Sequence, residues 1–273
     1  MKSIEPVIAI LTDFGYRDHY AGVLEGVIAG IAPQARVITL THGVAPQSIT
    51  AGALALAQSW RFFPRHTVFL AVVDPGVGTE RLPIAIETRA GARMVGPDNG
   101  LLALAAGQAG LRRAVELKLS RYRRAEVSST FHGRDIFAPA AAWLARGTPL
   151  RAFGPALPRI TPLMLPEARL TRAGARGEVI YVDGFGNLIT NIGAATIARL
   201  RACFPEKALS VRIGSSAAVE IFRAYGDARV GRPLATIGSF DLLEIAVRDG
   251  SAAQRFRAKV GATVVVNAAQ PRN

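Results

Sequence analysis

Hydrophobic and polar positions follow a regular order along the first half of the chain. Short apolar runs, rich in β-branched and aromatic side chains, lie at residues 7–11, 37–40, 68–73 and 83–86. Apolar residues at helical spacing lie at 21–31 and 49–60, and further helices are expected to begin near Asn99 and near Asp135. This alternation predicts an α/β domain with a largely parallel sheet.

The second half of the chain has a different texture. Prolines interrupt residues 153–177, at Pro155, Pro158, Pro162 and Pro166. Short strand-like runs follow at residues 178–182, 188–191, 209–213, 242–247 and 263–266, with turns between them. We therefore predict an α/β domain over residues 1–165 and a small antiparallel β domain or β-barrel over residues 166–273.

Composition narrows the class of protein. The chain has 273 residues, half of them hydrophobic, which is enough for substantial cores. Its single cysteine, Cys203, excludes an internal disulfide and a cysteine-based metal cluster, and it fits a reducing, cytoplasmic setting. The apolar run at 7–11 is far shorter than a signal sequence or a membrane span. We expect a cytoplasmic protein without membrane association.

The formal charge of +13 raises the possibility of nucleic-acid binding. The arginines are scattered, however, with one dense patch at residues 112–124. No helix-turn-helix or aromatic RNA-binding motif accompanies that patch. A solvated basic face is therefore favoured, and nucleic-acid binding is kept as the less favoured alternative.

The segment Asp-Pro-Gly-Val-Gly-Thr-Glu-Arg at 74–81 directly follows the buried strand predicted at 68–73. Ligands of open α/β sheets collect at the carboxyl ends of such strands, where Asp74 would lie. Gly76 and Gly78 allow a tight turn, so that Arg81 can fold back over the strand end. Taken alone, the segment fits a site and an ordinary acidic turn equally well.

Other polar clusters have the same character. Asp13 and Asp18 follow the first strand, although Asp18 taken alone is better explained as a helix cap. Asn99 lies in a turn before a helix and is weak evidence by itself. His132 and the adjacent Phe131 precede an apolar helix, where the start of a helix forms a polar crevice.

The second domain offers one polar turn at 183–191. Asn187 carries two donors and an acceptor, which suits an adenine edge, and Phe185 offers a stacking face. A tight hairpin would use the same residues. The sequence lacks a phosphate-binding loop, a dinucleotide motif, a zinc motif and a serine-hydrolase elbow, which leaves Asp, Arg and His chemistry with no metal and no cofactor expected.

Together these clusters resemble one family, the S-adenosylmethionine (SAM) hydrolases, also called SAM hydroxide adenosyltransferases, which are related to the fluorinase and chlorinase enzymes. The resemblance spans nearly the whole chain. Its motifs are Leu-Thr-Asp-Phe-Gly at 11–15, Val-Asp-Pro-Gly-Val-Gly-Thr at 73–79, Pro-Asp-Asn-Gly-Leu-Leu at 97–102, Thr-Phe-His-Gly-Arg-Asp at 130–135, Phe-Gly-Asn-Leu-Ile-Thr-Asn-Ile at 185–192 and Leu-Glu-Ile-Ala at 243–246.

The resemblance implies that SAM is the substrate and that adenosine and methionine are the products. It also implies a homotrimer whose sites lie between the large domain of one subunit and the barrel of its neighbour. By the same matching, the set that handles water is Asp74, Arg81 and His132. The substrate-binding residues are Asp13 at the ribose, Asp18, Asp183 and Ser239 near the methionine, Asn187 at the adenine with Phe131 and Phe185 as walls, and Asn99.

The resemblance suggests how water would be activated. Arg81 would favour a nearby hydroxide, His132 would accept the proton, and Asp74 would orient the pair. Relatives that use halide lack the Asp and the His at these positions, which favours water here. Two alternatives remain: a halide adenosyltransferase, and a nucleoside-binding or nucleic-acid-binding module without turnover.

The sequence departs from the family pattern in the barrel. Gly238 and Asp241 stand where many relatives carry Asn and Gly, and Arg248 stands where Asn is frequent. These departures affect the expected barrel-side contacts more than the chemistry.

Overall fold

The computed structural model describes residues 5–269. The chain forms two compact units, one ending at Met164 and the other beginning at Leu165. Each unit has its own buried apolar core.

The first unit contains seven strands and four α-helices within its described residues. The strands are β1 (Val7–Thr12), β2 (Arg36–Thr41), β3 (Val68–Val72), β4 (Pro83–Thr88), β5 (Arg93–Pro97), β6 (Leu111–Glu116) and β7 (Ala156–Leu157). The helices are α1 (Tyr20–Ile31), α2 (Ile49–Ser59), α3 (Ala103–Gln108) and α4 (Ala138–Ala145). Short 3₁₀ turns lie at Trp60–Phe62, Ser120–Tyr122 and Leu150–Ala152, and a π-helical turn, Gly133–Phe137, leads into α4.

The seven strands form one mixed sheet in the order β2-β1-β3-β5-β4-β6-β7. Strands β2, β1, β3 and β5 are parallel, and the remaining neighbours pair antiparallel. The predicted α/β class is confirmed. The parallel strands are neighbours at one end of the strand order, from β2 to β5. In the β1–β3 pairing Thr12 lies opposite Val72. Asp13 and Asp74 therefore emerge at the same edge.

Helices α1 and α4 cover one face of this sheet. Their buried side chains, among them Leu24, Ile28 and Leu144, join Ile10 and Leu70 of the strands in a continuous apolar core. Alanines make up most of the buried surface of α4, so the helix can lie close to the strands. On α2, the Ser48 side chain accepts a hydrogen bond from the Ala51 amide at 3.3 Å and caps the helix.

The second unit contains eight strands and two α-helices within its described residues. The strands are β8 (Arg169–Thr171), β9 (Gly174–Val182), β10 (Leu188–Gly193), β11 (Ala208–Ile213), β12 (Val219–Glu220), β13 (Pro233–Ile237), β14 (Leu242–Val247) and β15 (Thr263–Ala269). The helices are α5 (Ala194–Cys203) and α6 (Ala252–Phe256), and a 3₁₀ turn spans Tyr225–Asp227.

These strands form a nearly closed antiparallel barrel, which confirms the predicted architecture. The order is β12-β11-β15-β9-β10-β14-β13, and β8 pairs with β9 outside this path. A bridge between Ile221 and Ala235 connects the two ends of the path, and the Phe222 amide donates to the Ala235 carbonyl at 2.8 Å. Closure of this kind covers strand edges that would otherwise be unpaired.

Several elements differ from the sequence-based expectations. Strands β5, β6 and β13 and helix α5 were not predicted. Strand β5 contains Gly96 and Pro97, residues that normally weaken a strand prediction. Gly96 is required there because a Cβ would lie 2.3 Å from the Ala71 carbonyl oxygen. Helix α3 begins at Ala103 and not near Asn99, since Gly100 adopts a φ of +97°.

Within residues 5–269, no helix is long and apolar enough to cross a membrane.

Candidate functional site

A cavity of about 550 Å³ opens in the first unit at the sheet edge where β1 and β3 end. This is the location that α/β topology favours for ligands. Four predicted site residues line it, namely Asp13, Asp74, Phe131 and His132. The other lining residues are Phe14, His19, Tyr20, Gln47, Val72, Pro75, Val77, Ser128, Thr130, Gly133 and Arg134.

The structure brings Asp74, Arg81 and His132 into direct contact. Arg81 Nε donates to Asp74 Oδ1 at 2.9 Å, and Arg81 Nη2 donates to Asp74 Oδ2 at 2.5 Å. The same Nη2 lies 2.7 Å from His132 Nδ1. The side chains of Arg81 and Asp74 are only 9% and 6% exposed. Asp74 and His132 lie seven and 51 positions from Arg81 in the sequence, so the fold brings the three residues together.

Glycines make the segment 74–81 fit against the loop that carries His132. Gly78 has a φ of +80°, and a Cβ there would lie 2.6 Å from the Ser129 carbonyl oxygen. At Gly76 a Cβ would lie 3.4 Å from Arg81 Cγ. The structure therefore shows Arg81 folded back onto Asp74, as predicted. Gly78 also allows the loop at Ser129 to approach the segment 74–81.

The contact with Arg81 determines the protonation of His132. A guanidinium only donates hydrogen bonds, so His132 Nδ1 must accept, and the ring proton lies on Nε2. Burial, followed by the charge of Arg81, lowers the pKa of His132. The imidazole is therefore neutral, with Nδ1 occupied and Nε2 a donor. This arrangement does not suit the predicted role of His132 as a proton acceptor.

Arg81 supports the cluster without lining the cavity, as judged from residues 5–269. Its guanidinium carbon lies 5.2 Å from the centre of the Phe137 ring, a distance typical of a cation–π contact. Asp74 and His132 therefore present the polar surface to the cavity, and the buried cation behind them fixes both.

A network around Asp135 holds the loop that carries Phe131 and His132. Asp135 is fully buried and accepts hydrogen bonds from Arg134 Nε and Nη2 at 2.7 and 2.9 Å and from the Ser128 amide at 2.9 Å. Burial opposes ionisation, but the Arg134 and Ser128 hydrogen bonds prevail and lower the pKa of Asp135. Arg134 also lies over the Phe131 ring at 5.2 Å. Sequence reasoning missed this anchoring role, although Asp135 ends the quoted motif.

Asp13 is fixed by a backbone donor. Its Oδ2 accepts a hydrogen bond from the Gln47 amide at 2.7 Å, and Gln47 adopts a φ of +64°. Gln47 lies 34 positions away in sequence, and no pattern indicated this contact.

Besides Arg81, two predicted site residues do not line the cavity, within the described part of the unit. Asn99 donates from Nδ2 to the Val73 carbonyl at 2.9 Å and accepts from the Leu101 amide at 3.1 Å, so it fixes the strand end that carries Asp74. Asp18 is exposed just before α1. Their roles in substrate binding stay predictions.

In the second unit, the predicted turn at the β9–β10 hairpin is closed by Asp183. Its Oδ1 accepts hydrogen bonds from the amides of Phe185 and Asn187 at 2.9 and 2.8 Å, and its Oδ2 accepts from Asn187 Nδ2 at 2.9 Å. Phe185 is 82% exposed at the tip. The turn thus presents an aromatic face outward on a rigid base.

Ser239 is exposed in the turn between β13 and β14. Beneath it, Glu244 is 8% exposed and accepts a hydrogen bond from Tyr225 at 2.5 Å. A Cβ at Gly238 would lie 2.7 Å from Glu244 Oε2, which explains why this carboxylate can approach the turn. Burial raises the pKa of Glu244. Glu244 was not among the predicted site residues.

The basic patch at 112–124 is divided among separate contacts. Arg112 lies 3.7 Å from Glu87, and Arg124 lies 3.3 Å from Asp135. Arg121 stacks over Tyr122, and Arg123 donates to the Leu117 carbonyl. Arg112, Arg121 and Arg124 remain exposed, and each makes its own local contact.

No group of three or more His, Cys, Asp or Glu side chains within residues 5–269 is placed to hold a metal ion. The expectations that no metal and no cofactor are needed stay predictions.

Comparison with known proteins defines the class. The SAM hydroxide adenosyltransferase N-terminal domain matches residues 8–154, and the corresponding C-terminal domain matches residues 177–265. The chain belongs to the SAM hydroxide adenosyltransferase family.

Individual relatives agree. The chain is 40% identical over 264 residues to the (R)-S-adenosyl-L-methionine hydrolase of Thermus thermophilus, covering 94% of this chain and 98% of the relative. It is 43% identical over 270 residues to the enzyme of the same name from Salinispora arenicola, covering 96% and 98%. A fluorinase from an Actinoplanes species is more distant, at 27% identity over 97% of the chain and 98% of the fluorinase.

A solved structure of an uncharacterized conserved protein from Thermotoga maritima has the same fold. It superimposes with a TM-score of 0.87 at 37% identity, covering 95% of this chain and 99% of that protein.

Proposed function

We propose that this protein hydrolyses S-adenosyl-L-methionine to adenosine and L-methionine. The relatives at about 40% identity carry the name of this activity and are covered over almost their whole length. The observation that carries the proposal is the contact of Asp74, Arg81 and His132 beside a cavity large enough for a substrate of this size.

The cluster can hold a water molecule with a defined orientation. His132 Nε2–H donates to the water oxygen, and Asp74 accepts one of the water hydrogens with a lone pair that Arg81 leaves free. The orientation leaves an oxygen lone pair directed at the 5′ carbon. Asp74 therefore replaces His132 as the proposed proton acceptor.

The reaction forms an oxygen–carbon bond at C5′ and breaks the carbon–sulfur bond. The sulfur keeps the electron pair and leaves as the neutral thioether of methionine, so the leaving group needs no acid. The water proton passes to Asp74 and then to solvent. A dry site favours this step because the cationic sulfonium and the developing oxyanion neutralise each other.

Charge balance explains the composition of the cluster. Arg81 alone would repel a sulfonium, but Asp74 lies against it with both oxygens and neutralises it. His132 adds no charge because it is neutral. The cavity therefore accepts a cationic substrate while still polarising water.

The remaining contacts are proposed from the family pattern. Asp13, fixed at the cavity by Gln47, would bind the ribose hydroxyls, and Phe131 would form a wall. Asp18, Asp183 and Ser239 would lie near the methionine, and Asn187 and Phe185 near the adenine. The family resemblance supports a homotrimer with sites between neighbouring subunits, in which the exposed Phe185 would be covered. The single cysteine supports a location in the cytoplasm.

A product assay tests the proposal. Purified protein is incubated with SAM, supplied as both sulfonium epimers, and products are separated by chromatography. We expect equal amounts of adenosine and methionine. The absence of adenosine at every protein concentration would contradict the proposal.

The similarity to fluorinases motivates a second candidate, halide transfer from the same site. Adding chloride or fluoride to the assay distinguishes the two. Hydrolysis predicts adenosine without 5′-halo-adenosine, whereas halide transfer predicts the halogenated product at the expense of adenosine.

A further inference from the structure

Two segments of the first unit are joined beneath the cavity, and Asp13 lies at their junction. One segment, 12–15, follows β1, and the other, 42–47, follows β2. Backbone hydrogen bonds run from the Gly15 amide to the His42 carbonyl at 2.8 Å and from the Val44 amide to the Thr12 carbonyl at 3.3 Å.

Side chains complete the junction. Thr12 Oγ1 lies 2.7 Å from His42 Nδ1, and both residues are buried, with exposures of 0% and 1%. On the cavity side, Asp13 Oδ2 accepts from the Gln47 amide at 2.7 Å. The carboxylate of Asp13 thus accepts from a backbone donor of segment 42–47, and the adjacent residue Thr12 joins the same segment through His42.

The direction of the Thr12–His42 hydrogen bond can be assigned. The Phe14 amide donates to Thr12 Oγ1 at 3.1 Å, and His42 Nδ1 is the one acceptor that the Thr12 hydroxyl hydrogen has among residues 5–269, so we assign Thr12 as the donor to His42 Nδ1. The His42 proton then lies on Nε2. Burial lowers the pKa of His42 and keeps this neutral form.

Packing alone does not account for a histidine at position 42, because burying its polar ring costs free energy. Its Nε2 is buried and has no hydrogen-bond partner among residues 5–269. Unsatisfied buried polar groups are rare in folded proteins because each one loses its hydration without compensation. An apolar side chain of similar size would fill the same space. We therefore attribute the presence of a histidine at this position to the hydrogen-bond acceptor at Nδ1.

We propose that the Thr12–His42 pair is a positioning device that orients the Asp13 carboxylate toward the vicinal hydroxyls of a ribose. The identity of the ligand rests on the proposed function. Neither Thr12 nor His42 lines the cavity, as described for residues 5–269, so both act through Asp13 and are not catalytic residues.

The test compares binding of adenosine and 2′-deoxyadenosine by calorimetry, together with kcat and KM for SAM. Asp13→Ala should remove most of the preference for adenosine. Thr12→Val, which keeps the shape and removes the hydroxyl, should reduce the preference and raise KM by roughly tenfold each while kcat stays within about twofold. Thr12→Ser should restore the wild-type values.

Matched variants separate positioning from packing. His42→Asn places an acceptor near the position of Nδ1 and should keep the preference, whereas His42→Gln places its acceptor near Nε2 and should lose it. Thr41→Val is the control, because Thr41 Oγ1 accepts from the Gly43 amide at 2.9 Å and Thr41 pairs with Leu11, and neither contact involves residues 12–15. It should behave as wild type.

A double-mutant cycle gives the decisive result. If Thr12 acts through Asp13, Thr12→Val adds nothing in the Asp13→Ala background. Independent, multiplicative effects would overturn the inference, as would a wild-type preference in Thr12→Val or in His42→Gln. Should Thr12→Val fail to fold, the His42→Asn and His42→Gln pair decides. A wild-type protein that neither binds adenosine nor converts SAM would overturn the proposed function itself.

Discussion

At the scale of single residues, the site depends on how three side chains divide charge and hydrogen bonds. Arg81 gives Nε and Nη2 to Asp74 and shares Nη2 with His132. The sequence indicated that Asp74, Arg81 and His132 belong together, from motif resemblance. It could not indicate that Nδ1 of His132 faces Arg81. Because of that contact, Asp74 and not His132 is the proposed proton acceptor.

Removing the Asp74 charge tests these roles. Asp74→Asn keeps the shape but removes the charge that accepts the proton and neutralises Arg81, so we expect kcat to fall by roughly 100-fold to 10,000-fold and KM for the cationic substrate to rise. Steady-state kinetics provide the measurement. Glu80→Gln is the matched control, since Glu80 is an exposed acid in the same segment. An Asp74→Asn variant with normal kcat would contradict the role of Asp74.

The neutral state of His132 predicts a pH profile. Burial and then Arg81 lower the pKa of His132 from the usual histidine value, so the imidazole is mainly neutral at pH 6.5 and above. Protonation of Nδ1 would break the contact with Arg81. We expect kcat to be maintained at pH 6.5 and to fall only at more acidic pH. A kcat that declines with an apparent pKa at or above 6.5 would show that His132 is charged in the resting enzyme.

At the scale of elements, strand ends and loops place the chemistry. The register between β1 and β3 brings Asp13 and Asp74 to one edge, as their sequence positions predicted. The missed strand β5 lies beside β3, and its Gly96 packs on the β3 backbone. Gly96 is needed for the contact with the neighbouring strand, and a glycine does not indicate a strand in the local sequence. Strand β5 could therefore not be predicted from the sequence alone.

Gly78 tests the fit between the loop at 74–81 and the loop at Ser129. Gly78→Ala would strain a φ of +80° and place a Cβ 2.6 Å from the Ser129 carbonyl oxygen. We expect a loss of roughly 1–3 kcal/mol in the free energy of unfolding, together with reduced kcat because Arg81 moves. Chemical denaturation measures the first and kinetics the second.

Gly107→Ala is the control for this substitution. Gly107 lies in α3, and nothing lies within 4 Å of a Cβ placed there. The free energy of unfolding should stay the same or rise by up to about 1 kcal/mol. Equal losses in the two variants would rule out a specific fit at Gly78.

At the scale of the whole molecule, the pattern of apolar runs predicted an α/β sheet followed by an antiparallel β domain, and the family resemblance implied that the second domain is a barrel. Local patterns alone could not establish how the barrel closes, because the bridge between Ile221 and Ala235 joins strands far apart in the chain. The overall charge of +13 was a weaker guide, since the arginines at 112–124 make separate contacts. Net charge describes the surface as a whole, whereas the site is formed by contacts between residues that are far apart in the sequence.

One buried histidine, His42, and one half-buried histidine, His132, predict the pH dependence of stability. Burial lowers the pKa of both His42 and His132 below the unfolded value of 6.5. The unfolded chain therefore binds more protons below that value, and the free energy of unfolding falls as pH decreases from about 6.5. Denaturation at a series of pH values measures the effect. In His42→Asn the slope should be smaller, and an unchanged slope would contradict this source.

The central claim is that the cluster of Asp74, Arg81 and His132 delivers water to the 5′ carbon of SAM. Incubation in oxygen-18 water followed by mass spectrometry tests it directly. Attack at this carbon predicts one labelled oxygen in the 5′ hydroxyl of adenosine and none in methionine. Unlabelled adenosine, or label at any other position, would contradict the account.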